Sequence, residues 1–458
     1  MYTADIGRKF LELYNEKHSS EVGAGEFFED KFFPLFLNTE DHLHLMQVTN
    51  SSFFQKVSKK ERESGLPEPE IKKNRFLDQL DSISKGEQSV SGATGVGFMA
   101  GEMEKSTSGQ VSTLEFKTDK TTLLNTWFGG ALGVGFGGGY NFLIDHTDIM
   151  WFVYQGWKYY RKYIDETPDL KGRQIETWNG LWLCYGLEYR NHPEKAYNNL
   201  KQHIQPHLAE SKGIMSLQRP HWLEQIAAIA KSFGDREQAI LLYGYNFGQM
   251  NKTLGFLYLH VPEIRRLHQL YDAYLETDDM FRSGKRSLQK VYKTQFSLEH
   301  ACAQGGIGIR SLRPKDLHKF TAGTMQKQAA AAPKLDKEEK RYQFITYLTW
   351  ITAMLNNEET LKLAEELAQV LLDYEQENKR LTTRPRKIEE LWQATNRQLM
   401  IDKLVEIQKE SKETAPTLNK IVDQIMLELP QDTFRLFLTL TKFKYYFFKT
   451  SDKQTAHN

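Results

Sequence analysis

The chain has 458 residues, 40% hydrophobic, 26% charged and 12% aromatic, with 60 Lys and Arg against 59 Asp and Glu and a net charge of +1. That length suggests roughly two to four domains with sizeable cores, and the near-neutral balance excludes a general pull toward nucleic acid or anionic membrane while allowing local basic patches. Two distant cysteines, Cys184 and Cys302, exclude a disulfide framework and a four-cysteine zinc site, and the reducing cytoplasm is the expected compartment.

Met1 to Lys9 carry no apolar signal core. Residues 4–18 read as an amphipathic helix with Phe10, Leu11 and Tyr14 on one face. Gly25 to Phe36 holds Phe27, Phe28, Phe32, Phe33 and Phe36, too aromatic for a solvated helix, and Pro34 is expected to interrupt it. Residues 55–75, rich in Lys and Glu with Pro67 and Pro69, read as a mobile surface loop.

Ser91 to Asp145 holds 12 of the 31 glycines, eleven of them in two clusters at residues 91–101 and 127–140. Glycine tolerates left-handed backbone and close approach of another chain, so these clusters predict tight packing or a bound ligand. Between them, Val111 to Lys117 is the best strand candidate. The 18 uncharged residues from Trp127 to Ile144 include seven glycines, which suits a buried globular segment better than a membrane span. Five of the eight tryptophans lie between 127 and 182 and are expected to pack on the glycines. Ile149 to Ile164 and Trp178 to Tyr185 form two aromatic blocks, the first interleaved with Lys158, Arg161 and Lys162.

From Pro220 the pattern turns helical, over Pro220–Phe233, Asp235–Met250 and Pro262–Leu275, with no fixed period that would mark a solenoid. Residues 282–319 carry nine cations, among them Arg282, Lys285, Arg286, Lys290, Arg310, Arg313 and Lys315, against Glu299 and Asp316, a local charge of +7. Residues 324–340 read as a linker. Helical stripes follow at Tyr342–Leu355, Glu358–Tyr374, Ile388–Gln408, Leu418–Leu429 and Asp432–Phe448, with Trp350, Leu367, Trp392, Ile425 and Phe437 expected inside. The fold class expected is α+β: an irregular N-terminal α/β region with Gly-rich loops, then a mostly helical C-terminal half ending in an antiparallel helix bundle. The domains expected are 1–200, 201–330 and 335–458.

Catalytic signals are sparse. Glu115-Phe-Lys117 could serve a metal-dependent nuclease of the restriction type, with Glu102 or Glu104 as the upstream acid. The same spacing also places an acid and a lysine on one solvated strand face. Gly133-x-Gly135-x-x-Gly138 has the spacing of a dinucleotide-binding loop but lacks a preceding strand. His42 and His44, or His203 and His207, make no convincing zinc pattern. No cofactor is expected. The basic run could instead track phosphates, its Gly305–Gly308 turn offering free amides, and Lys158 and Arg161 among aromatic rings could add charge to stacking. The plainer alternative is a solvated helix face for the basic run and a core helix with one wet edge for the aromatic block.

The Gly/aromatic block with Asn246–Phe256, the basic Gly305–Lys319 segment and a bundle ending Phe434–Tyr446 together give a layout that resembles the large subunit of type I CRISPR interference complexes. The resemblance implies a non-catalytic subunit that contacts guide RNA and target DNA, assembles with other protein subunits and does not enter a membrane. It carries over no individual residue as a known contact.

Overall fold

The computed structural model describes residues 1–38, 51–98, 117–233, 238–246, 253–276, 298, 302, 305–314, 346–347, 349–355, 358–377, 383–411, 413–429 and 433–455. The fold is α+β with a helical C-terminal half. Two compact units are present: Met1–Ile264 with Leu298–Ile307, and Arg265–Ser297 with Gly308–Asn458.

The first unit starts from a helix crossing. α1 (Tyr2–His18) buries Ile6, Phe10, Leu13 and Tyr14, as its apolar spacing predicts. It ends at Ser19, whose φ of 50° turns its N–H back onto Glu16 O. Farther along the chain, a helix spanning Lys120–Ala131 begins at Asp119, which accepts from Thr122 N. Gly7 of α1 lies against the Asn125 carbonyl, and Gly129 lies against the Thr3 carbonyl. A Cβ on either glycine would overlap the facing oxygen. The first glycine-rich segment is tied to both helices. Thr3 Oγ1 donates to Val96 O at 2.7 Å, Val96 N donates to Thr126 Oγ1 at 2.9 Å, and Trp127 Nε1 donates to Thr94 O at 3.0 Å.

An aromatic core surrounds this crossing. Phe27, Phe32 and Phe36 meet Phe128 and Trp157 with ring centroids 5.0 to 5.8 Å apart. Pro34 does not interrupt that stretch: α2 (Ala24–Phe27), a π turn (Phe28–Phe32) and α3 (Phe33–Phe36) follow without a break. The wider turn accommodates a residue that has no N–H and would press on the carbonyl four residues back. The expected loop at 55–75 is largely helical as well. α4 (Lys59–Arg62) opens with a reciprocal Ser58–Glu61 capping box, and α5 (Glu68–Ser84) carries Pro69 in its first turn, where a missing N–H costs nothing. With the Lys120–Ala131 helix as α6, the next elements are β1 (Val134–Phe136), β2 (Tyr140–Asp145), α7 (Thr147–Glu166), α8 (Ile175–Gly186) and α9 (Pro193–His203).

β3 (Leu208–Ser211) and β4 (Ile214–Leu217) form a hairpin, and α10 (Trp222–Phe233) follows. The helix expected over 235–250 is replaced by β5 (Ile240–Tyr245), which pairs with β2 through Leu143↔Tyr243 and with β6 (Gly255–Leu259) through Tyr243↔Phe256. Ile240-Leu-Leu-Tyr-Gly-Tyr245 is too short for its apolar spacing to separate helix from strand, and long-range pairing decides. α11 (Val261–Glu276) occupies the third helical stretch read from the sequence. β7 (Gly306–Ile307) joins β6 in parallel, giving the sheet order β1-β2-β5-β6-β7. The uncharged Trp127–Ile144 stretch is therefore a helix end followed by a hairpin, and no described helix is long and apolar enough to cross a membrane.

Among the described glycines, Gly156 packs on a tryptophan: a Cβ there would lie 2.8 Å from the Trp182 ring. Most glycines of the second cluster instead meet backbone or polar atoms. Gly135 faces the Glu176 carbonyl, Gly180 of α8 faces the Gly135 carbonyl, and Gly133 faces the Tyr245 hydroxyl.

In the second unit, residues 349–355 are helical, and α12 (Glu358–Glu377), α13 (Thr383–Leu391), α14 (Arg397–Gln408), α15 (Ala415–Glu428) and α16 (Phe434–Thr455) form the bundle. The single helix expected at 388–408 is two helices, because Asn396 accepts from Leu399 N and starts α14 afresh. Arg397 Nη1 donates to Leu429 O at 2.9 Å and Gln408 Nε2 to Ala415 O at 3.3 Å, so α14 and α15 run antiparallel. Trp350, Leu367, Ile425 and Phe437 are buried as expected, whereas Trp392 lies just past the end of α13 and is only half-buried. Arg384, 4% exposed, donates to Tyr374 O and Glu377 Oε2 at 2.7 Å each and to Glu410 O at 3.2 Å, joining α12 and α13 to the end of α14.

Gly129→Ala should lower unfolding stability by ~2–3 kcal/mol in a urea titration, despite alanine's better helix propensity. Equal or higher stability would mean the two helices separate freely. Trp350 is 3% exposed and donates to Ile309 O at 2.7 Å. Trp350→Ala should cost ~3–5 kcal/mol, and a loss under 1 kcal/mol would contradict its packing.

Candidate functional site

The glycine hairpin between β1 and β2 has few side chains of its own to satisfy its backbone, and α8 and α10 supply them. Asn179 Nδ2 donates to Ala131 O at 2.7 Å and Gly133 O at 2.9 Å, and Gln225 Nε2 donates to Gly135 O at 2.6 Å. Gly137 N donates to Pro220 O at 2.8 Å, and Arg219 Nη1 donates to Tyr140 O at 3.0 Å. Each buried carbonyl left without such a partner would cost about 1–3 kcal/mol. The turn itself needs glycine, since Gly138 and Gly139 have φ of 99° and 86°.

Next to this turn, residues 169–174 are clamped to the β3–β4 hairpin. Met215 N donates to Asp169 O at 2.8 Å and Lys171 N to Met215 O at 2.7 Å. Gln174 exchanges side-chain bonds with Leu217, 3.1 Å to its O and 3.0 Å from its N. Arg173 is a non-glycine residue at φ 61°, an uncommon backbone that is held here by these neighbours, and its guanidinium stacks 4.0 Å from the Phe54 ring centre.

The two segments enclose a cleft of about 540 Å³. Lys171, Arg173 and Arg219 line it, together with Gly137, Gly138 and Thr177, and among the described residues no carboxylate lines it. α8 starts at the cleft, and its N-cap Gln174 makes no side-chain capping bond. Three cations, a helix N-terminus and glycine backbone thus converge on one space, a combination that suits an anion such as a phosphate. Behind the cleft, Glu176 is 8% exposed. Burial raises its carboxyl to about 7, against the opposing pull of Arg219. When Glu176 is protonated, its carboxyl no longer offsets the positive charge that Arg219 presents to a ligand.

Of the residues singled out in the sequence, Glu104, Glu115, Arg282, Lys285, Arg286, Lys290 and Lys315 lie outside the described residues, as do His42 and His44. Lys117 is exposed two residues before the cap of α6. Lys158 lies 4.8 Å from the Tyr159 ring centre, and Arg161 pairs with Asp165 at 3.1 Å, so both cations have partners along α7. Arg310 and Arg313 are exposed in the second unit, Arg313 with its guanidinium 6.0 Å from the Trp350 ring centre. His203 stacks on Tyr185, whose hydroxyl meets His207 Nε2 at 2.7 Å. Among the described residues no group of three His, Cys, Asp or Glu could hold a metal ion. Because β1 and β2 form an antiparallel hairpin, the Gly133–Gly138 spacing does not open a βαβ unit.

The sequence reading missed Lys171, Arg173, Glu176 and Arg219. Lys171-Gly-Arg173 and Arg219-Pro220 are the only local signals, and neither shows that it meets Gly137 in space.

Glu176 gives a pH prediction. Its folded carboxyl titrates above the ordinary value, so the stability it permits is fully present below about pH 4.5 and is lost as pH rises through about 7. Glu176→Gln should therefore be more stable than the parent at pH 8, by up to about 3 kcal/mol, and close to it at pH 4.5. Thermal melting across that range checks this, and a stability difference independent of pH would refute it.

No family model, no curated protein and no solved structure matches this chain.

Proposed function

We propose that this chain is a non-catalytic nucleic-acid-binding subunit of a prokaryotic CRISPR-type antiviral complex, working in the cytoplasm beside other protein subunits and contacting guide RNA and target DNA. The observation that carries the reading is the cleft where Lys171, Arg173 and Arg219 meet the start of α8, with no carboxylate lining it among the described residues. A chain of net charge +1 has no general attraction for polyanions, so concentrating cations around glycine backbone is the way it could hold a phosphate. The exposed Arg310 and Arg313 of the second unit, with the rest of the basic run, are a second set of phosphate contacts in this reading.

The test uses the full chain, titrated with labelled duplex DNA and RNA of two unrelated sequences over a series of salt concentrations. Phosphate contacts position without specifying, so Lys171→Ala with Arg173→Ala should weaken binding to both sequences alike. The slope of log K against log salt should fall by ~1 per lost contact on duplex DNA. Arg310→Ala with Arg313→Ala should do the same. If affinity and slope stay intact in both double variants, the nucleic-acid reading fails. Magnesium-dependent cleavage that disappears in Glu115→Ala or Lys117→Ala would replace it with the nuclease.

A further inference from the structure

The sheet of the first unit is asymmetric. Along β6, Leu257 and Leu259 are buried at 1% and 0% exposure, while Phe256 and Tyr258 on the opposite face are 56% and 53% exposed. Alternation puts the solvent-facing positions of an antiparallel strand there, and such positions are ordinarily polar. Here both are large aromatics. The register extends the surface: Tyr243 of β5 stands opposite Phe256, and its ring centre lies 4.9 Å from that of Phe256. Tyr2 of α1 meets Phe256 in a T-shaped contact at 83°, with centroids 4.8 Å apart, and Phe256 remains 56% exposed beside it. On its far side Tyr258 pairs with Gly306, where the His260 ring stands 3.0 Å from the position of a Cβ, and Tyr258 is still 53% exposed.

We propose that Phe256 and Tyr258, supported by Tyr243, are a stacking platform for successive unpaired bases of a single-stranded nucleic acid. This rests on the nucleic-acid reading above and adds which form of the polymer is held and by which groups. Three observations favour this occupant over a protein partner. The exposed residues are flat rings rather than aliphatic chains, and every base has a face to stack on them whatever its sequence. Phe256 and Tyr258 are two residues apart on one strand and project to the same side about 6.6–7 Å apart, so successive bases of an extended strand could each take one ring. The same sheet carries the cationic cleft at its β1–β2 turn: Phe256 stands two strand spacings from β2, level with Leu143 and five residues along from Gly138, or about 20 Å from the turn. The end of β5 reaches that turn, with Asn246 Nδ2 3.5 Å from where a Cβ of Gly139 would stand. A single strand could therefore lay its backbone in the cleft and its bases on β6.

The experiment titrates the full chain with a labelled oligothymidylate and with an abasic oligomer of equal length. Phe256→Ala with Tyr258→Ala should lose at least about tenfold in affinity for oligothymidylate, leave abasic binding unchanged and keep the parent's salt slope. Phe256→Trp should bind at least as well as the parent. Should the alanine pair unfold, Phe256→Leu with Tyr258→Leu keeps apolar bulk without a flat ring and should show the same selective loss. Equal affinity of parent and leucine pair for oligothymidylate would overturn the platform, as would an equal loss on the abasic oligomer. If Lys171→Ala with Arg173→Ala still lowers the salt slope, only the platform has failed. If the parent binds neither oligomer, the platform falls, and duplex binding decides whether the broader reading survives. Copurification of a protein that the alanine pair no longer retains, with oligothymidylate binding unaltered, would assign the face to a partner subunit instead.

Discussion

The first unit depends on two backbones approaching within the space of a missing Cβ. Gly7 and Gly129 let α1 and α6 meet carbonyl to glycine, each with a small partner, Thr3 or Asn125, four residues earlier on the same helix. Close approach leaves no space for water or for a longer side chain, so the loop at 91–98 can bond both helices through Thr3 and Thr126. Phe27, Phe32, Phe36, Phe128 and Trp157 then fill the volume around the pair. Rings supply the area that the glycines cannot, which explains why the two residue types cluster in the same part of the chain.

The same use of glycine reappears at the cleft for a different end. There the approaching groups are polar: Asn179 and Gln225 reach carbonyls of the hairpin, and Arg219 braces Tyr140 O. A buried network of this kind holds the turn in one arrangement because each bond that is broken strands an acceptor away from water. Rigidity matters for anion recognition, since the gain from converging dipoles and cations is realised only if they need not reorganise. Glu176 makes the network sensitive to pH, its neutral form favoured by burial and its charged form by Arg219.

The helical bundle was legible because its information is local. Residues such as Leu367, Ile425 and Phe437 recur at helical spacing, and the structure buries them. Where the reading failed, a short-range rule was competing with another. Asn396 is a helix cap inside a continuous apolar stripe, so two helices look like one. Ser58-Lys-Lys-Glu61 is a capping box inside a charged stretch, so a helix looks like a loop. Ile240 to Tyr245 satisfies helix and strand spacing alike over six residues.

The sequence by itself determined composition-level properties and local periods: the α+β class, the bundle, the two aromatic blocks and the need for close packing where glycines cluster. Only tertiary structure decided what the glycines touch, that β5 is a strand, and that Lys171, Arg173 and Arg219 share one cleft with Gly137. The physical reason is separation along the chain. A charge or a glycine two residues from its neighbour leaves a pattern, whereas cations at 171 and 219 meet a turn at 137 only after β1 and β2 pair and the β3–β4 hairpin clamps residues 169–174 beside them.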